Sequence, residues 1–158
     1  PSAGIDESNG GGSYILYPND IQREATDLWT YAREKFQLKN FGIPITDSHT
    51  TPLRRGVTGI GLGWCGFAPL HSYVGKLDLD GKPLRFTQIN LIDSIATAAT
   101  LAMGEGDECT PLALLSNIPK IEFQDRPPTN DELASISIPL GEDIYSPLLN
   151  AVTWCEKF

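Results

Sequence analysis

Oxygen-bearing side chains recur in four separated segments of the sequence. They are Ala3-Gly4-Ile5-Asp6-Glu7-Ser8-Asn9, Thr46-Asp47-Ser48-His49, Leu53-Arg54-Arg55-Gly56 and Met103-Gly104-Glu105-Gly106-Asp107. Each has an ordinary explanation when taken singly: Asp6 and Asn9 can make turns, Asp47 can be solvated at a strand end, Arg54 and Arg55 can be surface charges, and Glu105 can sit in a helix-ending loop. Taken together they make chemical sense. Carboxylates at loop and strand ends with a neighbouring hydroxyl suit Mg²⁺ or Mn²⁺, which prefer oxygen ligands and leave coordination places for substrate phosphates. Paired arginines add the fork geometry that fits phosphate or carboxylate. His49 stands beside this set as a candidate for acid-base work or as an ordinary surface histidine, and His71 carries no functional assignment.

Gly61-Leu62-Gly63-Trp64-Cys65-Gly66 formally satisfies G-x-G-x-x-G. A dinucleotide fingerprint has to open a helix, whereas Phe67-Ala68-Pro69 leads toward another strand, so a dinucleotide-dependent oxidoreductase is a poor reading. The same segment places Gly59, Gly61 and Gly63 on one face of a strand and Ile60, Leu62 and Trp64 on the other. A bare face of that kind admits close approach by a helix or a ligand. Cys65, Cys109 and Cys155 are odd in number and form no C-x-x-C pair, which points to reduced thiols rather than a disulfide framework or a zinc site.

The elements that must hold these residues are legible in part. Ser13–Tyr17 reads as a short strand. The clearest helix follows, with Asn19 as its cap and Ile21, Ala25, Leu28, Trp29, Ala32 and Phe36 at spacings of three and four. Phe41–Thr46 reads as a buried strand delivering Asp47 at its end, and Ser48–Gly56 as a loop. Val57–Phe67 is the glycine-faced strand, and Tyr73–Leu79 with Lys82–Thr87 forms a hairpin around Asp80-Gly81, whose composition favours a type I′ turn. Leu91–Met103 is apolar almost all round and rich in alanine, ending at Gly104, which predicts a central helix able to pack tightly on the glycine face. Pro111–Ser116 reads as one more buried strand, and a terminal helix is expected within 141–155. Mixed strands and helices with a hairpin predict an α+β fold with a mixed or antiparallel sheet and two main helices.

The chain has 158 residues, 41% of them hydrophobic, enough for one domain with a real core and too apolar for a disordered chain. Its formal net charge is −8. Residues 1–92 balance nine acids with nine bases, so the excess falls in residues 93–158, where eleven acids face Lys120, Arg126 and Lys157. Broad nucleic-acid binding, which needs a basic face, is therefore not expected. Nor is a membrane span or a signal peptide, and a cytoplasmic setting fits. The lack of an initiator methionine suggests a processed or truncated chain.

The ordered blocks AGID-ESN, TDS followed by LRRGVTGIGLG, VGKLDLDGKPL and the alanine-rich helix ending in MGEG resemble the γ-glutamyl ligase family of the deazaflavin coenzyme F-420, the coenzyme F-420-0:L-glutamate ligases. The resemblance covers roughly residues 3–118 and implies a domain spanning 1–126, the C-terminal portion of the family, with 127–158 as an acidic, proline-containing extension of it. It implies the family's α+β fold, a homodimer, and GTP- and Mg²⁺- or Mn²⁺-dependent joining of L-glutamate to a phosphate-bearing carboxylate acceptor through an acyl phosphate. By similarity, Asp6, Asp47, Ser48 and Glu105 would bind metal, with Ser48 where the family usually has threonine. Asn9, Gly104, Glu105 and Gly106 would contact the nucleotide, and Arg54 and Arg55 would meet substrate phosphate or carboxylate.

One departure bears on the substrate. The family commonly reads T-D-T-x-G-R where this chain has Thr46-Asp47-Ser48-His49-Thr50-Thr51, so one anion-binding arginine is replaced by threonine. That leaves open a ligase for a different acceptor, or a non-catalytic metal- or nucleotide-binding module of the same fold. Because the family's N-terminal portion, which contributes to nucleotide binding, does not precede Pro1, the chain alone is expected to show weak or no turnover.

Overall fold

The computed structural model describes residues 5–7 and 10–151. Its contacts divide the chain into a unit of residues Pro1–Pro128 and a second of Thr129–Phe158. Among the described residues the first is α+β: three two-stranded antiparallel ribbons and two long helices. In chain order its elements are β1 (Ile5–Asp6), β2 (Ile15–Leu16), α1 (Ile21–Phe36), β3 (Ile43–Thr50), β4 (Val57–Cys65), β5 (Leu70–Ser72), β6 (Gln88–Asn90) and α2 (Leu91–Met103). The pairings are β1 with β2, β3 with β4 and β5 with β6.

The ribbon of β3 and β4 is the platform of the first unit. Its register runs from Ile43 opposite Cys65 to Thr50 opposite Val57, with a shift between Ile45 and Thr46. The glycine face of β4 is filled by helices. A Cβ on Gly59 would lie 2.3 Å from the Ala96 carbonyl oxygen, one on Gly61 would lie 1.9 Å from the Ile92 side chain, and one on Gly63 would lie 3.1 Å from the Ile21 carbonyl oxygen. So α2 uses the bare face at Gly59 and Gly61, and α1 uses it at Gly63.

Side chains of α2 also satisfy the β4 backbone. Asp93 accepts from the Gly61 amide at 2.9 Å, and one turn later the Thr97 hydroxyl donates to the Gly59 carbonyl at 3.0 Å. An exposed strand edge invites unwanted pairing, and here a helix meets these backbone groups instead. The helix itself has the bounds its sequence predicts. Asn90 caps its start by accepting from the Asp93 amide at 3.1 Å, and Gly104 ends it at φ 82°.

Helix α1 begins one residue later than its composition suggests, because Asp20 rather than Asn19 accepts from the Arg23 amide at 2.9 Å. Only Ala25 and Trp29 of its apolar stripe are fully buried, while Leu28 and Phe36 remain exposed. Gln22 and Trp29 tie the helix to the platform. The Gln22 amide donates to the Trp64 carbonyl at 2.7 Å, and the Trp29 indole donates to the Phe41 carbonyl at 2.9 Å. Gly66 is required beside this contact: its φ is 86°, and a Cβ there would lie 2.0 Å from the Trp29 indole nitrogen. Around these contacts sits the core of Ala25, Trp29, Trp64, Cys65, Phe67, Leu91, Ile92, Ile95, Ala96 and Ala99.

Several expectations are corrected. Strand β3 continues past Asp47 to Thr50, so Asp47 lies within a strand and the following loop shrinks to residues 51–56. The strand is half-buried rather than buried. Ser13–Tyr17 contributes only Ile15–Leu16 to a ribbon. Residues 73–87 do fold back as a hairpin, with Asp78 bonded to Lys82 and Gly75 to Leu84. Its tip is not a type I′ turn, because only Gly81 of the Asp80-Gly81 pair has positive φ. The Gly81 amide bonds to Asp78, the three-residue loop in which one left-handed glycine closes a type I turn. Pro111–Ser116 forms no strand, and Leu112 and Leu114 project outward at 84% and 91% exposure.

The second unit, by itself, carries two short helices among its described residues, α3 (Asn130–Ser135) and α4 (Ser146–Leu149). Thr129 and Glu132 close a reciprocal capping box at the start of α3, with bonds of 2.7 and 3.3 Å. The expected terminal helix is present only as α4, and residues 152–158 lie outside the described residues. Among the described residues, no helix is long and apolar enough to cross a membrane.

Candidate active site

Asp47 is held by both its ribbon and a neighbouring side chain. It stands opposite Ile60 in the β3–β4 ribbon, and its carboxylate accepts a hydrogen bond from the Tyr17 hydroxyl. Tyr17 follows β2 directly, and β2 pairs with β1 so that Asp6 stands opposite Ile15. The Tyr17–Asp47 bond therefore joins the ribbon carrying Asp6 to the ribbon carrying Asp47. Tyr17 had no functional signal in the sequence, where it only closes a short apolar run.

Alternation along β3 separates neighbours in sequence. Ser48 stands opposite Gly59, on the face that meets α2, so its side chain and that of Asp47 lie on opposite faces of the ribbon. His49 returns to the Asp47 face, opposite Thr58, and its Nδ1 is buried without a hydrogen-bond partner. The carboxylate and hydroxyl adjacent in sequence are thus not adjacent as side chains.

Glu105 belongs to a second locality. It lines a groove of about 440 Å³ together with Val57, Thr58, Gly59, Thr97 and Thr100. The loop carrying it is pinned from two sides: the Glu108 carboxylate accepts from the Gly106 amide at 2.8 Å, and the Thr110 hydroxyl donates to the Met103 carbonyl at 2.6 Å. Gly104 supplies the helix end and Gly106 the amide that Glu108 holds. Glu108 went unnoticed in the sequence because its role is local, a side chain folding back on a backbone two residues away.

Arg54 and Arg55 are exposed in the loop between β3 and β4, with no ion pair to either among the described residues. That loop bends through Leu53 at φ 60° and Gly56 at φ 92°, then leads directly into Val57 and Thr58 of the Glu105 groove. The arginines are thus delivered to the groove's end of the ribbon, as free cations suited to an anion. Asn9 lies outside the described residues.

Among the described residues, no three His, Cys, Asp or Glu side chains converge closely enough to hold an ion. Asp6, Asp47 and Glu105 therefore do not form one closed cluster. Mg²⁺ and Mn²⁺ sites at phosphates need only one or two carboxylates, the rest of the shell being water and phosphate oxygen, and carboxylates such as Asp6 and Asp47 are donors of that type. Cys65 and Cys109 are free, the first buried and the second exposed. Burial pushes the Cys65 thiol above its ordinary value, against the opposing pull of hydrogen bonds from Thr26 and Gly66 and the charge of Arg33.

The first unit is an α+β platform with carboxylates on linked ribbons, a glycine-flanked glutamate at a helix end and an arginine pair in an exposed loop. Residues 1–117 match the family model described as F420-0:Gamma-glutamyl ligase, and the chain belongs to that family. It is 37% identical over 123 residues to the coenzyme F420:L-glutamate ligase of Methanopyrus kandleri, covering 77% of this chain and 48% of the relative. The enzyme of the same name from Haloarcula marismortui is 36% identical over 115 residues, covering 72% and 44%. That from Methanococcus maripaludis is 32% identical over 124 residues, covering 78% and 49%. The chain spans about half the length of these curated relatives.

Proposed function

We propose that this chain carries the metal- and acceptor-binding part of a GTP-dependent γ-glutamyl ligase, one that forms an amide between L-glutamate and a phosphate-bearing carboxylate such as coenzyme F420-0. The observation that carries the reading is the family match over residues 1–117, within which Asp6 and Asp47 fall on ribbons joined by Tyr17.

Amide formation from a free carboxylate stalls because hydroxide leaves poorly. In the proposed course an acceptor carboxylate oxygen attacks the γ-phosphorus of GTP, the bond to the bridging oxygen breaks, and GDP leaves. The glutamate amine then attacks the acyl phosphate carbonyl, forming the C–N bond, expelling inorganic phosphate and releasing a proton. Bound Mg²⁺ or Mn²⁺ would neutralise phosphate charge during the first transfer. The chain's own part is positional. Asp6 and Asp47 supply oxygen donors, Tyr17 fixes the Asp47 carboxylate, and Arg54 and Arg55 offer forked contacts to an anionic group. Ser48 and Glu105 serve as further oxygen donors to metal in the same reading, and Glu105 with Gly104, Gly106 and Asn9 meets the nucleotide by similarity.

A homodimer fits this reading. Two-stranded ribbons are marginal by themselves, and Ile15, Leu16, Leu77, Leu79 and Phe86 are exposed apolar groups that a second copy could cover. The second reading, a non-catalytic module or a ligase for another acceptor, draws on the Thr50-Thr51 departure and on the separation of Glu105 from Asp47. Incubation with GTP, Mn²⁺, L-glutamate and a panel of carboxylate acceptors tests both. A gain of one glutamyl unit on an acceptor supports ligation and removes the non-catalytic module. A protein extended to the relatives' full length that binds neither Mn²⁺ nor GTP defeats the ligase reading.

A further inference from the structure

His71, Lys76 and Lys120 meet around the ring of Tyr73. His71 lies in β5 opposite Ile89 of β6, and its imidazole meets the Tyr73 ring edge-on at 5.0 Å and 80°. The Lys76 ammonium lies 4.8 Å from the centre of the same ring, and the Lys120 ammonium lies 5.1 Å from it. Cations are attracted to an aromatic face within about 6 Å, and both ammonium groups meet that condition. Tyr73 and Lys76 belong to the hairpin of residues 73–87, whereas Lys120 comes from a segment distant in sequence. One ring thus clasps two pieces of chain.

The two pieces differ in how they are held. Within the hairpin the Tyr73 amide donates to the Thr87 carbonyl at 2.9 Å, and the Gly75 amide to the Leu84 carbonyl at 2.8 Å. Just past Lys120 the chain is fixed again, the Ala68 amide donating to the Glu122 carbonyl at 2.8 Å and the Gln124 amide to the Gly66 carbonyl at 2.9 Å. Residues 117–120 carry left-handed backbone at Asn117, φ 57°, and at Lys120, φ 66°. Such backbone is costly for lysine and persists where surrounding contacts hold it. The same residues form one wall of a groove of about 400 Å³ beside α2, with Ile89, Leu91 and Ile95 across from them.

His71 is the group able to loosen this contact. Its Nε2 is buried with no hydrogen-bond partner, so a charged imidazole would lack an acceptor for one of its two N–H groups. The charges that reach it are Lys76 from the hairpin and Lys120 and Glu122 from the segment. Strand β6 brings the neutral Gln88, Ile89 and Asn90, and Asp93 of α2 is turned to the Gly61 amide and the Asn90 side chain. Burial, then Lys76 and Lys120, lower the His71 pKa, against the opposite pull of Glu122.

We infer that this corner is an acid-released clasp: with His71 neutral the Tyr73 ring holds residues 117–120 to the hairpin, and a proton on His71, a third cation beside two, lets them part and widens the groove. In the open form His71 is solvated and takes its ordinary value of about 6.5, above its value in the closed form. The closed form is therefore fully favoured above about pH 6.5 and loses ground as the pH falls from there toward the closed-form value.

Protons of a lysine side chain held over an aromatic ring carry a ring-current shift, so NMR of the Lys120 ε-methylene reads the clasp. The expected result is that this shift is lost between pH 7.5 and 5, in step with the His71 ring signal and with a midpoint below about 6.5. His71→Phe keeps an aromatic edge against Tyr73 but takes no proton, and its Lys120 signal should hold its shift throughout. Glu122→Gln removes the carboxylate that favours the charged imidazole, so its midpoint should fall. A Lys120 signal that stays in place while His71 titrates, or that moves alike in His71→Phe, overturns the clasp. Should His71→Phe fail to fold, Glu122→Gln carries the test, and a midpoint there equal to the parent's overturns the proposal.

Discussion

Gly59 lies so close beneath α2 that a Cβ added to it would stand 2.3 Å from the Ala96 carbonyl oxygen and 2.5 Å from the Thr100 hydroxyl. The obstacle is helix backbone, which cannot turn aside as a flexible side chain can. Gly59→Ala should therefore lift α2 from the platform and lower stability by about 1–3 kcal/mol, read from urea unfolding. Unchanged stability would mean that the helix is not seated as described.

Tyr17 should act on Asp47 rather than on the fold as a whole. It is 37% exposed, and its hydroxyl reaches the carboxylate from another ribbon. Removing that hydroxyl with Tyr17→Phe should weaken Mn²⁺ binding by about tenfold in calorimetry, as loss of a ligand's outer partner commonly does, with the unfolding midpoint little changed. Equal Mn²⁺ affinity in both proteins would reduce Tyr17 to a packing residue.

Glu108 should govern the mobility of the loop that carries Glu105. Its carboxylate holds the Gly106 amide at 2.8 Å. In Glu108→Ala that amide should exchange with solvent roughly tenfold faster, the value of one modest hydrogen bond, while exchange in α2 stays as it was. No change at Gly106 would contradict the pinning.

Cys65 gives a prediction in pH. Its folded-state pKa is raised by burial, so the folded protein keeps the neutral thiol when the unfolded chain has begun to ionise. The stability this contributes is complete below the unfolded value of about 8.5 and is lost as pH rises through the higher folded value. Urea unfolding of the parent should weaken more between pH 8.5 and 10.5 than that of Cys65→Ala. Parallel pH profiles would show that the thiol does not contribute.

How much of this was legible follows the range of the interactions. Helix α2 was read to the residue, because its alanines, its apolar circumference and Gly104 are local signals that agree with one another. The glycine face of β4 was legible as a place of close approach, and the structure shows which partners use it. Asp20 displaced Asn19 as a cap because two good caps stood side by side and the three-residue reach to Arg23 chose between them. Strand β3 ran on past Asp47 because its length is set by pairing with β4, a long-range fact. The helix at Asn130–Ser135 carries its signature in Thr129 and Glu132, but it is six residues long and follows a proline pair, so no apolar periodicity announces it. At the candidate site the sequence supplied residue types, and only the fold could show Tyr17 against Asp47, Ser48 turned from its neighbour and Glu105 in a different groove.

The most direct test of the account is Mn²⁺ binding followed by electron paramagnetic resonance in the presence of GTP, comparing the parent with Asp47→Asn. The account predicts that the parent takes up Mn²⁺ and that the loss of one carboxylate charge weakens it at least about tenfold. Identical titrations for the two proteins would contradict it, for Asp47 would then hold no metal and the ligase chemistry would have lost its anchor.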